Sequence, residues 1–282
     1  QFLIPMVIAV PLFGAMGGAA QTWTQGGVTK QMWLQNAGFV WVVPVLVSTA
    51  LCFWGLNDLP IRKPIREQFV VFGRKHTWIM LVLYIMTFGS FSGLSASFPL
   101  LIKELFGAFP NAPAPLAFAF LGPLIGSATR PPGGWLSDRI GGGLVTLICA
   151  VILCAGSIAT TFTTAPASAA DFTPFLICIL ILFFAAGIGN GSTFQQIPFI
   201  FPPKEAGPVL GFTAAIAAYG SFLFPLLFGW TLGRFGSVRG AFLGFAVFYA
   251  ASALLTWWYY ARRGCEKPCR PTALELPAPS RS

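Results

Sequence analysis

One arginine and a few polar or aromatic side chains carry the chemistry available in this sequence. Arg130 lies near the middle of LGPLIGSATRPPGGWLSDRIGG (121–142), a run that is otherwise apolar or small until Asp138 and Arg139. A charge at the centre of a membrane helix costs about 2.5–3.5 kcal/mol on insertion scales. At about 1.5 Å per helical residue, Arg130 sits roughly 12 Å inward from Asp138, too deep for water to reach easily. Pro131, Pro132, Gly133 and Gly134 follow it, and such poor helix formers predict a bend just after the arginine. A costly cation beside a helix break points to a buried anion site. Two other readings stand beside it: an arginine paired with helix carbonyls, and one that snorkels to an interface.

A second set of side chains shares faces at helical spacing. Tyr84, Phe88 and Ser92 recur every four residues, as do Asn190 and Phe194 inside AAGIGNGSTFQQIP. Ser192, Thr193, Gln195 and Gln196 lie in that second stretch, and hydrocarbon offers them no partners, so they must face protein or a water-filled cavity. Polar packing between helices is the plain alternative. Every carboxylate falls in a loop, at a span end or in the tail, and the single histidine, His76, falls in a basic loop. No mid-membrane group is placed to carry a proton. Nothing has the spacing of a metal site or of a nucleophile and its base, so neither catalytic nor metal-binding residues are expected, and no cofactor. A cation without an internal counter-charge is what an anion carrier needs, because the substrate then supplies the opposite charge.

The elements that hold these residues are membrane spans. Of 282 residues 56% are hydrophobic and only 9% charged, against about 25% charged in a soluble domain. The mean hydropathy is +0.75. Eight apolar segments can be read: 2–16, 37–56, 77–102, 116–136, 144–162, 175–201, 209–232 and 241–260. The first looks like the remnant of a span, as if the chain were a fragment beginning inside the membrane. A polar loop with Gln21, Thr22, Gln25 and Lys30 follows it, and a basic loop with room for a short surface helix occupies 61–76. With that loop placed inside, the inner side holds Arg62, Lys63, Arg66, Arg74, Lys75, Arg139, Lys204 and the basic tail. The outer side holds only Lys30, Lys103, Arg234 and Arg239. The positive-inside rule favours this assignment and a cytoplasmic C-terminus. The net charge of +9 is accounted for by orientation, without nucleic acid. Small-residue pairs four apart (Gly89/Gly93, Gly122/Gly126, Gly187/Gly191, Gly207/Gly211 and Gly229/Gly233) predict close helix approach. Cys52, Cys149, Cys154 and Cys178 lie in apolar runs and read as small hydrophobes. Cys265 and Cys269, alone in a basic tail, read as reduced thiols.

These residues resemble a known family. GGWLSDRIGG is similar to the major facilitator motif G-x-x-x-D-R-x-G, here Gly134, Asp138, Arg139 and Gly141, at a turn between two spans. GIGNGSTFQQIP resembles the signature of the nitrate/nitrite porters within that superfamily, as do TFGSFSGLSASFPLL and FLGPLIGSATRPPGGWLSDRIGG. The resemblance implies an all-α polytopic bundle. In it, 1–60 would be the end of the N-terminal helical half, 61–76 a cytoplasmic linker, 77–262 the C-terminal six-helix half and 263–282 a tail. It also implies that a second substrate arginine belongs to the N-terminal half, outside this chain.

Carried onto this sequence, the family pattern makes Arg130 the substrate arginine and Tyr84 a donor to the anion. Phe194 becomes an aromatic that stacks on the anion's plane and Gly211 a glycine lining the pocket. Phe88 joins Tyr84 on its face. Asn190 stands where some members have serine, as does Ala214. The implied activity is transport of nitrate, nitrite or both across the inner (plasma) membrane, by exchange, with the lipid bilayer and the other half of the carrier as partners. Proton-coupled nitrate uptake, carriage of another small anion and a non-transporting membrane sensor are the alternatives.

Overall fold

The structure is a computed structural model that describes residues 21–25, 28–32, 42–56 and 69–267. The segment 2–16, the first half (61–68) of the basic loop 61–76, Cys269 and the rest of the tail beyond 267 lie outside the described residues. The chain divides into two compact units, Gln1–Lys63 and Pro64–Ser282.

In the first unit, strands β1 (Gln21–Gln25) and β2 (Val28–Met32) pair antiparallel, from Gln21 opposite Met32 to Gln25 opposite Val28. Sequence reading put a polar loop there. The strands are rich in Thr, Val and Trp, and a Gly-Gly pair joins them, which is a hairpin pattern. Helix α1 (Val42–Gly55) follows, inside the span expected over 37–56.

The second unit is helical. A 3-10 turn, Phe69–Gly73, leads into α2 (Lys75–Tyr84), which continues through a π-helical turn (Ile85–Gly89) into α3 (Ser90–Phe106). Next come α4 (Pro115–Phe118), α5 (Leu121–Ala128) and α6 (Arg130–Ile140). Helices α7 (Gly142–Thr161) and α8 (Phe172–Ile200) follow. The last are α9 (Pro203–Ala217), α10 (Gly220–Phe235) and α11 (Arg239–Thr256), the last extended by a π turn to Ala261. Among the described residues, five helical stretches are long and apolar enough to cross a membrane: Lys75–Phe106, Gly142–Thr161, Ala169–Ile200, Pro203–Phe235 and Arg239–Ala261.

Three of the predicted spans are interrupted midway. Lys75–Phe106 has its π turn, α5 and α6 are separated at Thr129, and α9 and α10 are separated between Ala217 and Gly220. The break in the arginine-bearing span falls just before Arg130, not after it as the sequence predicted. Thr129 has ψ −8°, and Pro131 and Pro132 fit the first turn of α6, where a missing N–H costs nothing. The prolines therefore start a helix and do not bend one. Gly141, with φ +96°, ends α6 where the sequence showed a Gly141-Gly142-Gly143 turn; Gly142 and Gly143 already belong to α7.

Helix α8 is central and packs against α5, α6 and α7, while α7 also meets α11 and α3 meets α10. The core is aromatic, with Phe98, Phe175, Phe183, Phe228, Phe242 and Tyr249 all fully buried. The Tyr249 hydroxyl donates to Ser90 Oγ at 2.8 Å and ties α11 to the start of α3.

His76 is not in a loop. It sits in the first turn of α2, buried, with Nδ1 3.0 Å from the Tyr260 hydroxyl and Nε2 3.3 Å from Glu266. The basic segment runs straight into the helix because Lys75 and His76 find their partner in Glu266, beyond α11. The Lys75 hydrogen bond, joined by His76, holds the Glu266 carboxyl below its usual range. A depressed carboxyl stabilises the fold fully above its unfolded pKa of about 4.3 and loses that contribution as pH falls through the lower folded value. Glu266→Gln at neutral pH is expected to loosen the end of α11, seen as faster thiol labelling of Cys265. Unchanged labelling would show that the contact holds nothing.

Candidate functional site

Arg130, Tyr84, Asn190 and Phe194 line one cavity of about 450 Å³, together with Pro131, Gly134, Gly191 and Gln195. Four of the six residues singled out in the sequence thus meet in one place. Phe88 does not line the cavity but lies behind it, its ring 5.6 Å from Tyr84 and 5.4 Å from the Arg130 guanidinium carbon. Gly211 lies apart: it is exposed, and an added Cβ would meet nothing within 4 Å.

Interrupted helices place these groups. Tyr84 is the last residue of α2 before the π turn, and Arg130 is the first residue of α6, so each projects from a point where regular helix stops. The start of α6 also brings the positive end of a helix dipole to the cavity. The third element of this arrangement is α8, held very close by glycine. A Cβ at Gly187 would overlap Thr129 Oγ1 and the Gly126 carbonyl, and one at Gly191 would overlap the Arg130 carbonyl oxygen. Of the small-residue pairs noted in the sequence, Gly187/Gly191 and Gly122/Gly126 lie at overlaps of this kind, as does Gly93, while a Cβ at Gly89 would make a tight 3.3 Å contact. Gly207/Gly211 and Gly229/Gly233 face nothing within 4 Å.

The guanidinium is held in an unusual way. Its carbon lies 4.2 Å from the centroid of the Phe91 ring, a cation–π distance. Nε and Nη2 are buried and make no hydrogen bond with any described residue. No described carboxylate pairs with it; the ion pairs found join Arg74 to Glu205 and Lys75 and His76 to Glu266. No helix carbonyl among the described residues takes up those two donors. A buried charged donor without a partner is costly.

The polar stretch on α8 divides by face. Ser192 donates to the Gly142 carbonyl at 2.8 Å and lies 2.7 Å from Thr146 Oγ1, Thr193 Oγ1 lies 3.1 Å from Thr87 Oγ1, and Gln196 Nε2 donates to the Gly142 carbonyl at 3.1 Å. These side chains bind helix to helix. Asn190 and Gln195 turn to the cavity instead. Asn190 Nδ2 is buried without a hydrogen bond, a third unmet donor beside the two on Arg130. Gln195 Nε2 donates to Asp138 Oδ1 at 2.8 Å, linking the cavity to the turn that ends α6. Beside it, the Arg139 guanidinium carbon lies 4.1 Å from the Trp135 ring centroid.

Sequence reasoning missed Phe91 and Gln195 as site residues. The signal for Phe91 was its place three residues after Phe88 on one helix. For Gln195 it was adjacency to Phe194, one turn beyond Gly191.

A sequence model of the Major Facilitator Superfamily matches residues 80–282. The chain belongs to that superfamily. Among its relatives, a protein named probable nitrate/nitrite antiporter NarK2, from Thermus thermophilus, is 51% identical over 95% of this chain and 61% of its own length. Nitrate/nitrite transporter NarU of Escherichia coli (strain K12) is 36% identical over 93% of this chain and 60% of its own length. The chain thus spans about three fifths of the length of these curated relatives. In fold it is similar to the crystal structure of the major facilitator transporter FucP in the outward conformation, with a TM-score of 0.60 and 14% identity. That match covers 90% of this chain and 64% of the other. With its apolar helices, this membership makes the chain part of a multi-pass membrane protein of a transporter superfamily, with the partial helix bundle expected from the sequence.

Proposed function

We propose that this chain is the C-terminal part of a carrier that moves nitrate and nitrite by alternating access, exchanging one for the other. The observation that carries the reading is Arg130: a guanidinium lying on an aromatic ring, with two buried donors and no acceptor among the described residues. Nitrate is planar and spreads its charge over three oxygens, so a planar guanidinium donates to two of them in parallel. Asn190 and the Tyr84 hydroxyl add donors from two other helices. Phe194 covers the plane of the anion and selects against tetrahedral ions by shape. Phe88 supports Tyr84 and the arginine. Gly211 lies apart from this cavity and takes no part in it here; a second arginine, from the N-terminal half, completes the site.

In this reading 1–60 ends the N-terminal half, 61–76 is a cytoplasmic linker, 77–262 is the C-terminal half and 263–282 a cytoplasmic tail, in the inner membrane. The two halves rock about the midplane site. The interrupted helices that line the cavity (α2–α3 and α5–α6) supply irregular backbone where it borders the path. Described carboxylates lie only at span ends or beyond them, which supports exchange over coupling to protons carried in this half. The names of the relatives, nitrate/nitrite antiporter and nitrate/nitrite transporter, agree with this substrate.

The test is counterflow in proteoliposomes holding the complete carrier. Labelled nitrate is expected to enter nitrite-loaded vesicles, to enter empty vesicles poorly, and to be indifferent to a protonophore. Uptake into empty vesicles that collapses with the proton gradient would replace exchange by proton-coupled uptake. No flux of either anion would reject the substrate.

A further inference from the structure

Resting on the reading of Arg130 as the anion's arginine, we infer that Phe91 is a positioning residue for transport, seated by Gly126, which fixes the plane in which the guanidinium meets its substrate. Phe91 is not itself one of the residues that line the cavity. Yet among the described aromatics its ring lies nearest the guanidinium, 4.2 Å from centroid to carbon against 5.4 Å for Phe88. A guanidinium stacked on a ring keeps its edge, where all its N–H bonds lie, free for acceptors. With the guanidinium carbon over the Phe91 ring, Nε and Nη2 make no hydrogen bond with any described residue. A long side chain held only by its Cα would sample many rotamers, and ordering it on binding costs free energy that a preset ring spares.

The ring itself is fixed from three sides. Phe88 stacks beside it at 6.4 Å and 25°, and Phe183 meets it edge-on at 6.1 Å and 84°. The third side is Gly126 on α5, four residues before Arg130. A Cβ there would come within 2.6 Å of two Phe91 ring carbons, with the Phe183 carbonyl oxygen 3.2 Å away on its other side. An aromatic ring cannot bend out of such an overlap, so it would have to leave the guanidinium. Gly126 is thus an absence of side chain that permits the ring, and the ring presents the arginine.

Kinetics of nitrate exchange in the complete carrier test this. Phe91→Leu keeps an apolar side chain of similar reach but removes the π face. It is expected to raise the KM for nitrate about tenfold with kcat nearly unchanged, the size of a desolvated cation–π contact. Phe91→Trp is expected to restore a KM near wild type, and Gly126→Ala to reproduce the rise. In an Arg130→Lys background, which lacks the planar group, Phe91→Leu is expected to add nothing further. An unchanged KM in Phe91→Leu would overturn the inference. So would a fall in kcat at constant KM, a Phe91→Trp variant as impaired as Phe91→Leu, or a full extra loss in the Arg130→Lys background. Those results leave wild-type exchange intact and so leave the proposed function standing. Absence of nitrate exchange in the wild-type carrier instead rejects the function and the inference together.

Discussion

Arg130→Lys is expected to lower kcat/KM for nitrate by about 100-fold or more, even though it keeps the charge. A lysine ammonium is a point charge with a tetrahedral set of donors, and it cannot offer two parallel N–H bonds to a planar anion. A hundredfold is about 2.7 kcal/mol, the scale of one or two charge-assisted hydrogen bonds in a buried site. Stability is expected to move the other way. In the absence of anion, the wild-type protein keeps a guanidinium with two buried, unmatched donors. Replacing a buried, poorly matched charge with an apolar side chain of similar length is often neutral or stabilising by about 1–4 kcal/mol. Arg130→Met in the anion-free carrier is therefore expected to melt no lower than wild type, and above it if the charge is as poorly matched as the contacts show, while transport is abolished. A marked fall in melting temperature would mean that Arg130 holds the fold together and was not kept for a ligand. Thermal unfolding in detergent and vesicle uptake, measured on the same two variants, separate these cases.

The second large effect is expected at Gly191. Here an added methyl meets backbone, not a flexible side chain. It would overlap the Arg130 carbonyl oxygen and lie 2.8 Å from the Gly134 amide nitrogen. Neither can swing aside, so α6 and α8 must part along their length. Overpacking of this kind costs about 1–3 kcal/mol, and the displaced element is the one that begins with the arginine. Gly191→Ala is expected to lower the melting temperature and also to cut nitrate transport by the protein that does fold. Gly211→Ala is the matched control, because open space surrounds that position; its melting temperature is expected to stay at the wild-type value. Equal melting temperatures for Gly191→Ala and wild type would show that the helices do not meet as closely as described.

Much of this arrangement was legible in the sequence because a membrane penalises the features that mark it. Arg130 stands out since hydrocarbon makes every charge costly, and Tyr84, Asn190 and Phe194 stand out by helical spacing. What spacing could not reveal was how α8 sorts its polar residues. Ser192, Thr193 and Gln196 look no different from Asn190 and Gln195 until the positions of Gly142, Thr146 and Thr87 are known. The break before Arg130 was misplaced because Pro131 and Pro132 are ambiguous: the same residues that bend a helix also begin one. The π turn at Ile85–Gly89 left no sequence mark, and with it went the approach of Phe91 to the arginine. His76 was read as a loop residue because charge pattern alone could not show Glu266 returning from beyond α11 to meet it.

The most direct measurement is nitrate binding to the purified carrier, read as the rise in its melting temperature with nitrate concentration. A ligand that binds only the folded state stabilises it in proportion to the logarithm of its saturation. The account predicts a concentration-dependent rise with nitrate in the wild-type protein, little with sulfate at equal ionic strength, and loss of the nitrate response in Arg130→Lys. An equal nitrate response in Arg130→Lys would contradict it, because the anion would then be held by something other than that guanidinium.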